Sequence, residues 1–352
     1  MLDRNDKDFG VFLPVANGGW IISKTAPPLD GLWKQNLAAA VAAEQAGLDF
    51  VMSMGKWRGF GGETNHWGTS MESLTMMAGI AQATKRVKIW ATVHPLLNNP
   101  AVTAKMITTL DHISGGRAGL NIVAGAYKAE FDQMGEWDDS LSHDDRYEYT
   151  EEWTAVLKRL WREHSVTHDG RFFHIKDCVS DPKPLSKPYP DLICAGMSER
   201  GFRFSVREAD ACFVGGHTPE ERRDASRRAK AMADQYGTNI KTYAMCTVIY
   251  GDTDAKAETL VRRYAEGVDM GAVIQMLSNW GVPPERLTAT AEAQGAFMTQ
   301  TAVGSPATCS EKIEAFLDYC ELDGLMLIFP DYVDGLAMFG HEILPGLRKV
   351  AA

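Results

Sequence analysis

The stretch Asp111-His112-Ile113-Ser114-Gly115-Gly116-Arg117-Ala118-Gly119-Leu120-Asn121-Ile122-Val123-Ala124-Gly125 decides how the chain is read. Its opening residues read as the end of a helix, Gly115-Gly116 as a turn, and residues 118–124 as a strand. A short, continuously apolar strand fits a parallel sheet covered on both faces. One residue breaks the run. Asn121 stands between Leu120 and Ile122, where packing alone would select Val or Leu. An amide carries N–H donors and an acceptor oxygen, so burying it unpaired costs on the order of a few kcal/mol. Asn121 therefore meets a ligand, a water or backbone.

The same unit recurs outward from this stretch. Strand-like runs at 9–15, 49–54, 87–94, 118–124, 191–195, 211–214, 242–250 and 324–329 alternate with helical runs. The helical runs lie at 33–45, 72–84 and 144–163, after Pro100, and from Glu199, Pro219, Asp254 and Gly335. Eight strands alternating with helices predict an α/β fold, a (β/α)8 TIM barrel, over a single domain spanning 1–352. A doubly wound sheet is the second choice, and no GxGxxG follows any strand to support it. Insertions near 165–190 and 267–304 break the rhythm. The first holds Asp169-Gly170 between strand-like residues, which is hairpin chemistry, followed by Pro182, Pro184, Pro188 and Pro190. The second is long enough for a lid or an oligomer contact.

Of the 352 residues, 45% are apolar and 23% charged, with net charge −10. Such a surface disfavours nucleic acid and anionic membranes, both of which call for basic patches. The six cysteines show no CxxC spacing and read as free thiols in a reducing cytoplasm, with no metal site. The polar start Met1-Leu2-Asp3-Arg4-Asn5 has no signal-peptide core, and no apolar run reaches the roughly 18 residues of a membrane span.

In such a barrel the active site lies at the C-terminal ends of the strands. Those ends are rich in glycine and aromatics and hold no Ser-His-Asp order, no paired carboxylates and no HExxH. A site of that composition suits a cofactor that carries the chemistry, and flavin is the natural candidate. Arg146-Tyr147 and Ser198 open helices, where N–H groups favour a phosphate. His94 reads either as a packed histidine before Pro95 or as an acid–base group in reach of substrate. Lys56 and Arg58 read as an anion grip or as rim charges.

Several separate motifs carry a resemblance: Phe12-Leu13-Pro14-Val15-Ala16-Asn17-Gly18-Gly19-Trp20, Ser53-Met54-Gly55-Lys56-Trp57-Arg58-Gly59-Phe60-Gly61-Gly62, the segment 111–125, Ile193-Cys194-Ala195-Gly196-Met197-Ser198 and Gly304-Ser305-Pro306. Together they resemble the bacterial luciferase-like FMN-dependent monooxygenases, and within that family most closely the pyrimidine monooxygenases of uracil and thymine degradation. The resemblance implies flavin contacts at Gly55, Lys56, Asn121, Glu130, Arg146, Tyr147 and Ser198. It implies that Thr92 and Asn121 face the reactive flavin edge where dioxygen is captured, and His94 joins them as a catalytic candidate. Reduced FMN and O2 are the implied cofactor and co-substrate, reacting through a flavin peroxide that attacks a carbonyl or ring carbon of a small N-heterocycle. Other luciferase-like chemistries remain open: alkanesulfonate or dehalogenating monooxygenation, flavin cleavage, deazaflavin-dependent hydride transfer, or flavin binding without turnover. With no dinucleotide fingerprint, a separate NAD(P)H:flavin reductase is the expected partner, beside a homo-oligomer, dimer or tetramer. Two positions depart from the pyrimidine enzymes: Ala126 replaces a Trp, and His94-Pro95 replaces small uncharged residues.

Overall fold

The computed structural model describes residues 7–125, 127–196, 198–216 and 218–348. In chain order the strands are β1 (Asp8–Phe12), β2 (Phe50–Met52), β3 (Lys88–Val93), β4 (Ala118–Ile122), β5 (Val166–Asp169), β6 (His174–Cys178), β7 (Asp191–Cys194), β8 (Ala211–Phe213), β9 (Lys241–Tyr250), β10 (Gln300–Gly304) and β11 (Gly324–Ile328). The first helices are α1 (Trp33–Gln45), α2 (Ser73–Ala83), α3 (Pro100–Ser114), α4 (Lys128–Asp132), α5 (His143–Arg162), α6 (Glu199–Glu208) and α7 (Pro219–Tyr236). They are followed by α8 (Asp254–Glu266), α9 (Met270–Asn279), α10 (Leu287–Gln294), α11 (Pro306–Tyr319), α12 (Tyr332–Met338) and α13 (Leu344–Leu347).

The parallel ring runs β1-β2-β3-β4-β7-β8-β9-β11 and closes back on β1. All eight expected strands are in it, in the expected order, so the chain is a (β/α)8 barrel. Its floor is set by ring size. Gly10 faces Phe50 across β1 and β2, Trp90 faces Gly119 across β3 and β4, and Tyr243 faces Gly324 across β9 and β11. A Cβ on Gly10 would lie 2.1 Å from Phe50 Cε2, and one on Gly119 would lie 2.4 Å from Trp90 Cδ1. These glycines make space for a stack in which Phe50 and Trp90 centroids are 3.9 Å apart and Phe50 and Tyr243 5.7 Å apart. The interior is thus a packed layer of alternating large and absent side chains, as barrels of this type require.

The hairpin in the first insertion forms, with β5 antiparallel to β6. Asp169 pairs with His174, so the loop is residues 170–173 and not a two-residue Asp-Gly turn. The second insertion holds α9, α10 and an extra parallel strand, β10, beside β9. Sequence reading missed β10 because Gln300-Thr301 opens it and only one ring strand pairs with it. The last barrel helix begins at Tyr332, capped by Asp331, rather than at Gly335.

The second insertion is tied to the loops that follow β1 and β2. Asp269 caps α9 through Ala272 N at 3.2 Å and accepts from Thr64 N and Oγ1 at 2.7 Å. Asp269 N donates to Ile22 O at 3.1 Å, and Ile21 bridges Phe297. Burial pushes the Asp269 carboxyl up, but these donors hold it below its ordinary value. Among the described residues no helix is long and apolar enough to cross a membrane.

Candidate active site

Side chains two apart on a strand share a face. Trp90 and Gly119 belong to the interior layer, so Thr92 and Asn121 point into the barrel one step nearer its C-terminal mouth. The two are register partners. Asn121 Nδ2 donates to Thr92 Oγ1 at 3.0 Å, and Thr92 Oγ1 donates to Ser53 O at 2.5 Å. Thr92 N donates to Ser73 Oγ at 2.8 Å, and that hydroxyl is 2.6 Å from Ser53 Oγ. A polar ladder therefore crosses β2, β3 and β4 in an otherwise apolar core. Its one open end is Asn121 Oδ1, which is buried and has no hydrogen-bond partner among the described residues.

The loop after β2 brings Lys56 to Glu130 on α4. Lys56 Nζ lies 2.8 Å from Glu130 Oε1, an ion pair with both side chains at most 4% exposed. The same ammonium sits 4.4 Å from the Tyr127 ring centre and 4.6 Å from that of Phe60. Burial lowers the Lys56 pKa, and Glu130 partly restores it. Lys56 is therefore no rim charge, whereas Arg58 is exposed. Glu130 Oε1 also accepts from Trp57 N at 3.1 Å and Arg58 N at 3.2 Å, which fixes the loop on α4.

His94 lies at the mouth end of β3, 5% exposed. Its Nδ1 accepts from the Trp57 indole N–H at 3.4 Å, and its ring meets Phe131 edge-on at 5.5 Å. Burial brings its pKa down to about 4, so the imidazole is neutral at pH 7. Gly55 backs directly onto this ring: a Cβ there would be 2.7 Å from His94 Cε1.

A second group forms where α5 and α6 begin. Ser198 caps α6 by accepting from Gly201 N at 3.1 Å. The Tyr147 hydroxyl packs where a Cβ on Gly201 would stand, 2.2 Å away. Burial raises the Tyr147 phenol, offset in part by the Ser198 hydroxyl beside it. Arg146, in the first turn of α5, donates to Leu141 O at 2.8 Å and covers the Trp137 ring at 4.8 Å.

The expected residues thus fall into two clusters, one with Gly55, Lys56, Thr92, His94, Asn121 and Glu130, the other with Tyr147 and Ser198, and with Arg146 nearby on the same helix. Sequence reading missed Trp57 and Tyr127 as members of the first. Both flank residues that were singled out, but spacing says nothing of where an aromatic ring points. Tyr127 also accepts the Trp280 indole N–H at 2.5 Å, which links the site to the second insertion. Ala126 and Met197 lie outside the described residues. An open cleft of about 660 Å³ between α7, α11 and β10 is lined by none of the expected residues.

The family described as luciferase-like monooxygenase matches residues 7–319. The chain belongs to this family. It is an oxidoreductase of the monooxygenase type. The pyrimidine monooxygenase RutA of Acinetobacter baylyi is 36% identical over 350 residues, covering 96% of this chain and 93% of that protein. RutA of Variovorax paradoxus is 37% identical over 351 residues, covering 97% and 94%. Among solved structures, riboflavin lyase (RcaE) with modified FMN and substrate riboflavin superposes with TM-score 0.86 at 20% identity, covering 98% of this chain and 92% of that one. Long-chain alkane monooxygenase (LadA) gives 0.84 at 19% identity, with coverage of 98% and 92%. These two likenesses speak for the fold.

Proposed function

We propose that the chain is a reduced-FMN-dependent monooxygenase that uses O2 to attack a carbonyl or ring carbon of a small N-heterocycle, opening a pyrimidine-like ring. The observation that carries this reading is the 36–37% identity, over nearly the whole chain, to proteins named pyrimidine monooxygenase. The barrel mouth supports it. FMN needs an apolar slot for its ring, a few donors and acceptors at the ring edge, and a cationic or amide-lined end for its phosphate. The residues present fit that need. Asn121 Oδ1 is a buried acceptor without a partner among the described residues, as expected where a ligand N–H docks. Lys56 is a buried cation, and Ser198 stands at the start of α6 with the hydroxyl of Tyr147 on α5 beside it, where a helix N-terminus favours an anion.

In this reading Gly55, Lys56, Asn121, Glu130, Arg146, Tyr147 and Ser198 hold the cofactor. When bound, reduced FMN supplies the electrons that activate dioxygen. The protein's own work is positional. Thr92 and the serine ladder hold the Asn121 amide in one orientation. Glu130 holds Lys56, and Phe60, Tyr127 and Phe131 keep water from the cluster. His94, at the mouth end of β3, is the residue assigned to the substrate in this reading. The reduced cofactor comes from a separate NAD(P)H:flavin reductase.

The test is oxygen uptake with reduced FMN across uracil, other cyclic amides, sulfonates and halogenated aromatics. Cyclic amides should stimulate uptake and appear as ring-opened product. Stimulation by sulfonates or halogenated aromatics alone would assign the chain to another luciferase-like chemistry.

A further inference from the structure

The His94 imidazole is fixed both through its backbone and by the residues around its ring. Its backbone is extended (φ −99°, ψ 113°) ahead of Pro95, as a residue before proline prefers. Its carbonyl accepts from Asn98 Nδ2 and Leu97 N, both at 3.0 Å. One ring edge lies against Gly55, where any Cβ would collide, and Phe131 blocks another side. Trp57 closes the third side, and Trp57 is itself clamped to α4. Its N–H donates to Glu130 Oε1 at 3.1 Å and its carbonyl accepts from Gln133 Nε2 at 2.7 Å.

The Trp57 contact decides the protonation pattern. Indole N–H is only a donor, so Nδ1 must be the ring's acceptor. A neutral imidazole has one N–H, which then sits on Nε2. The charged groups facing the ring are Lys56 and Glu130, and they pair with each other, leaving little net charge to stabilise an imidazolium or an isolated anion. A buried anion without a counter-charge is strongly disfavoured, whereas a neutral acceptor needs only the hydrogen bond.

We propose that Gly55, Trp57 and His94 form one recognition unit, in which Gly55 and Trp57 position His94 as a fixed Nε2–H donor for a neutral acceptor on the substrate, a ring carbonyl or ring nitrogen. This rests on the N-heterocycle reading above and sharpens it: the unit selects cyclic amides over sulfonates and carboxylates at that position. Trp57 is a positioning residue, since it acts through His94.

Two readouts test it. The first is ¹⁵N NMR of the whole protein labelled at its nine histidines, with and without FMN. The signal lost in His94→Gln identifies His94. It should show one neutral form, protonated at Nε2, from about pH 5 to pH 8, around the ordinary imidazole midpoint of about 6.5. Trp57→Phe, which keeps a ring but removes the N–H, should give mixed tautomers. The second readout is turnover of a cyclic amide. His94→Ala should lower kcat/KM by about 10²-fold, the scale of a lost positioned donor. His94→Gln, which restores a neutral donor, should stay within about tenfold of wild type, and Trp57→Phe should lose about tenfold, the effect of one hydrogen bond. FMN affinity should change less than a few-fold in all three. An Nδ1–H or charged His94, or cyclic-amide turnover indifferent to His94→Ala, overturns the proposal. Protein that binds FMN but turns over no cyclic amide overturns the proposed function instead, while the spectra still decide the tautomer.

Discussion

Asn121 has an amide whose two ends are treated differently. Its N–H is used in the ladder through Thr92 to Ser53, while Oδ1 is buried without a partner among the described residues. A buried orphan acceptor costs about 1–3 kcal/mol. Asn121→Leu removes that cost and fills the same volume, and Thr92 keeps its bond to Ser53 O. The variant should therefore fold, with a Tm no more than a few degrees below wild type, yet lose at least about tenfold in flavin-dependent turnover if a ligand is the missing partner. Calorimetry and oxygen uptake on the same preparation check it. Normal turnover would make Asn121 a plain core amide. This residue was legible in the sequence because a polar side chain inside an apolar strand violates an expectation. From its neighbours in sequence Lys56 was legible only as a choice between grip and rim, and the resemblance alone pointed to a flavin contact. Its burial depends on Glu130, Phe60 and Tyr127 coming together from the β2 loop and the start of α4, and no local pattern encodes that. Trp57 was not legible at all, because its role depends on the place where the chain carries His94.

The eight ring strands could be read because each is a short apolar run closed by a turn, and both faces of a parallel barrel strand are buried. β10 could not, since it has a single ring neighbour and begins with polar residues. The Asp169-Gly170 signal located a hairpin but not its loop length, because Glu152 on α5 accepts from the backbone of Phe172 and Phe173 and holds a wider turn. Helix starts were the best-marked features. Pro100, Pro219 and Asp254 begin helices, and Ser198 precedes Glu199 as a cap. The cap at Ser198 has a second use in the proposed reading, beside a phosphate. Ser198→Ala should cost about 1 kcal/mol of stability, the usual value of a lost cap. If Tyr147 and Ser198 serve the phosphate, Ser198→Ala and Tyr147→Phe should each narrow the preference for FMN over riboflavin, by about 3- to 10-fold, the scale of one hydrogen bond. Fluorescence titration with both flavins measures this. An unchanged preference in both variants would place the phosphate elsewhere.

At the scale of the whole barrel, two buried neutral histidines stand at its mouth among the described residues, His66 and His94. His66 is 1% exposed, close to Gly18, Trp67 and Phe60, and neither ring nitrogen has a hydrogen-bond partner of good geometry among the described residues. Burial lowers the pKa of His66 to about 4, as it does for His94. In the unfolded chain each would titrate near about 6.5. Between these values the unfolded chain binds more protons at these two positions than the folded one, so the part of folding stability set by the two histidines falls as pH falls from about 6.5 towards 4, and is flat above. The slope is about 1.4 kcal/mol per pH unit for each histidine. Carboxylates held low, such as Asp269, add loss only nearer their own lower range, and Asp49 and Asp210, raised by burial, act in the opposite sense. A difference experiment separates these groups. His66→Phe keeps an aromatic ring beside Phe60 and Trp67, removes two buried ring nitrogens and deletes one titration. Urea unfolding of wild type and variant from pH 7.5 to 4.5 should give curves that diverge below about pH 6.5, the variant becoming relatively more stable by about 1.4 kcal/mol per pH unit. Parallel curves would mean that His66 finds a proton-stabilising partner in the folded state, Asp269 being the carboxylate that faces it.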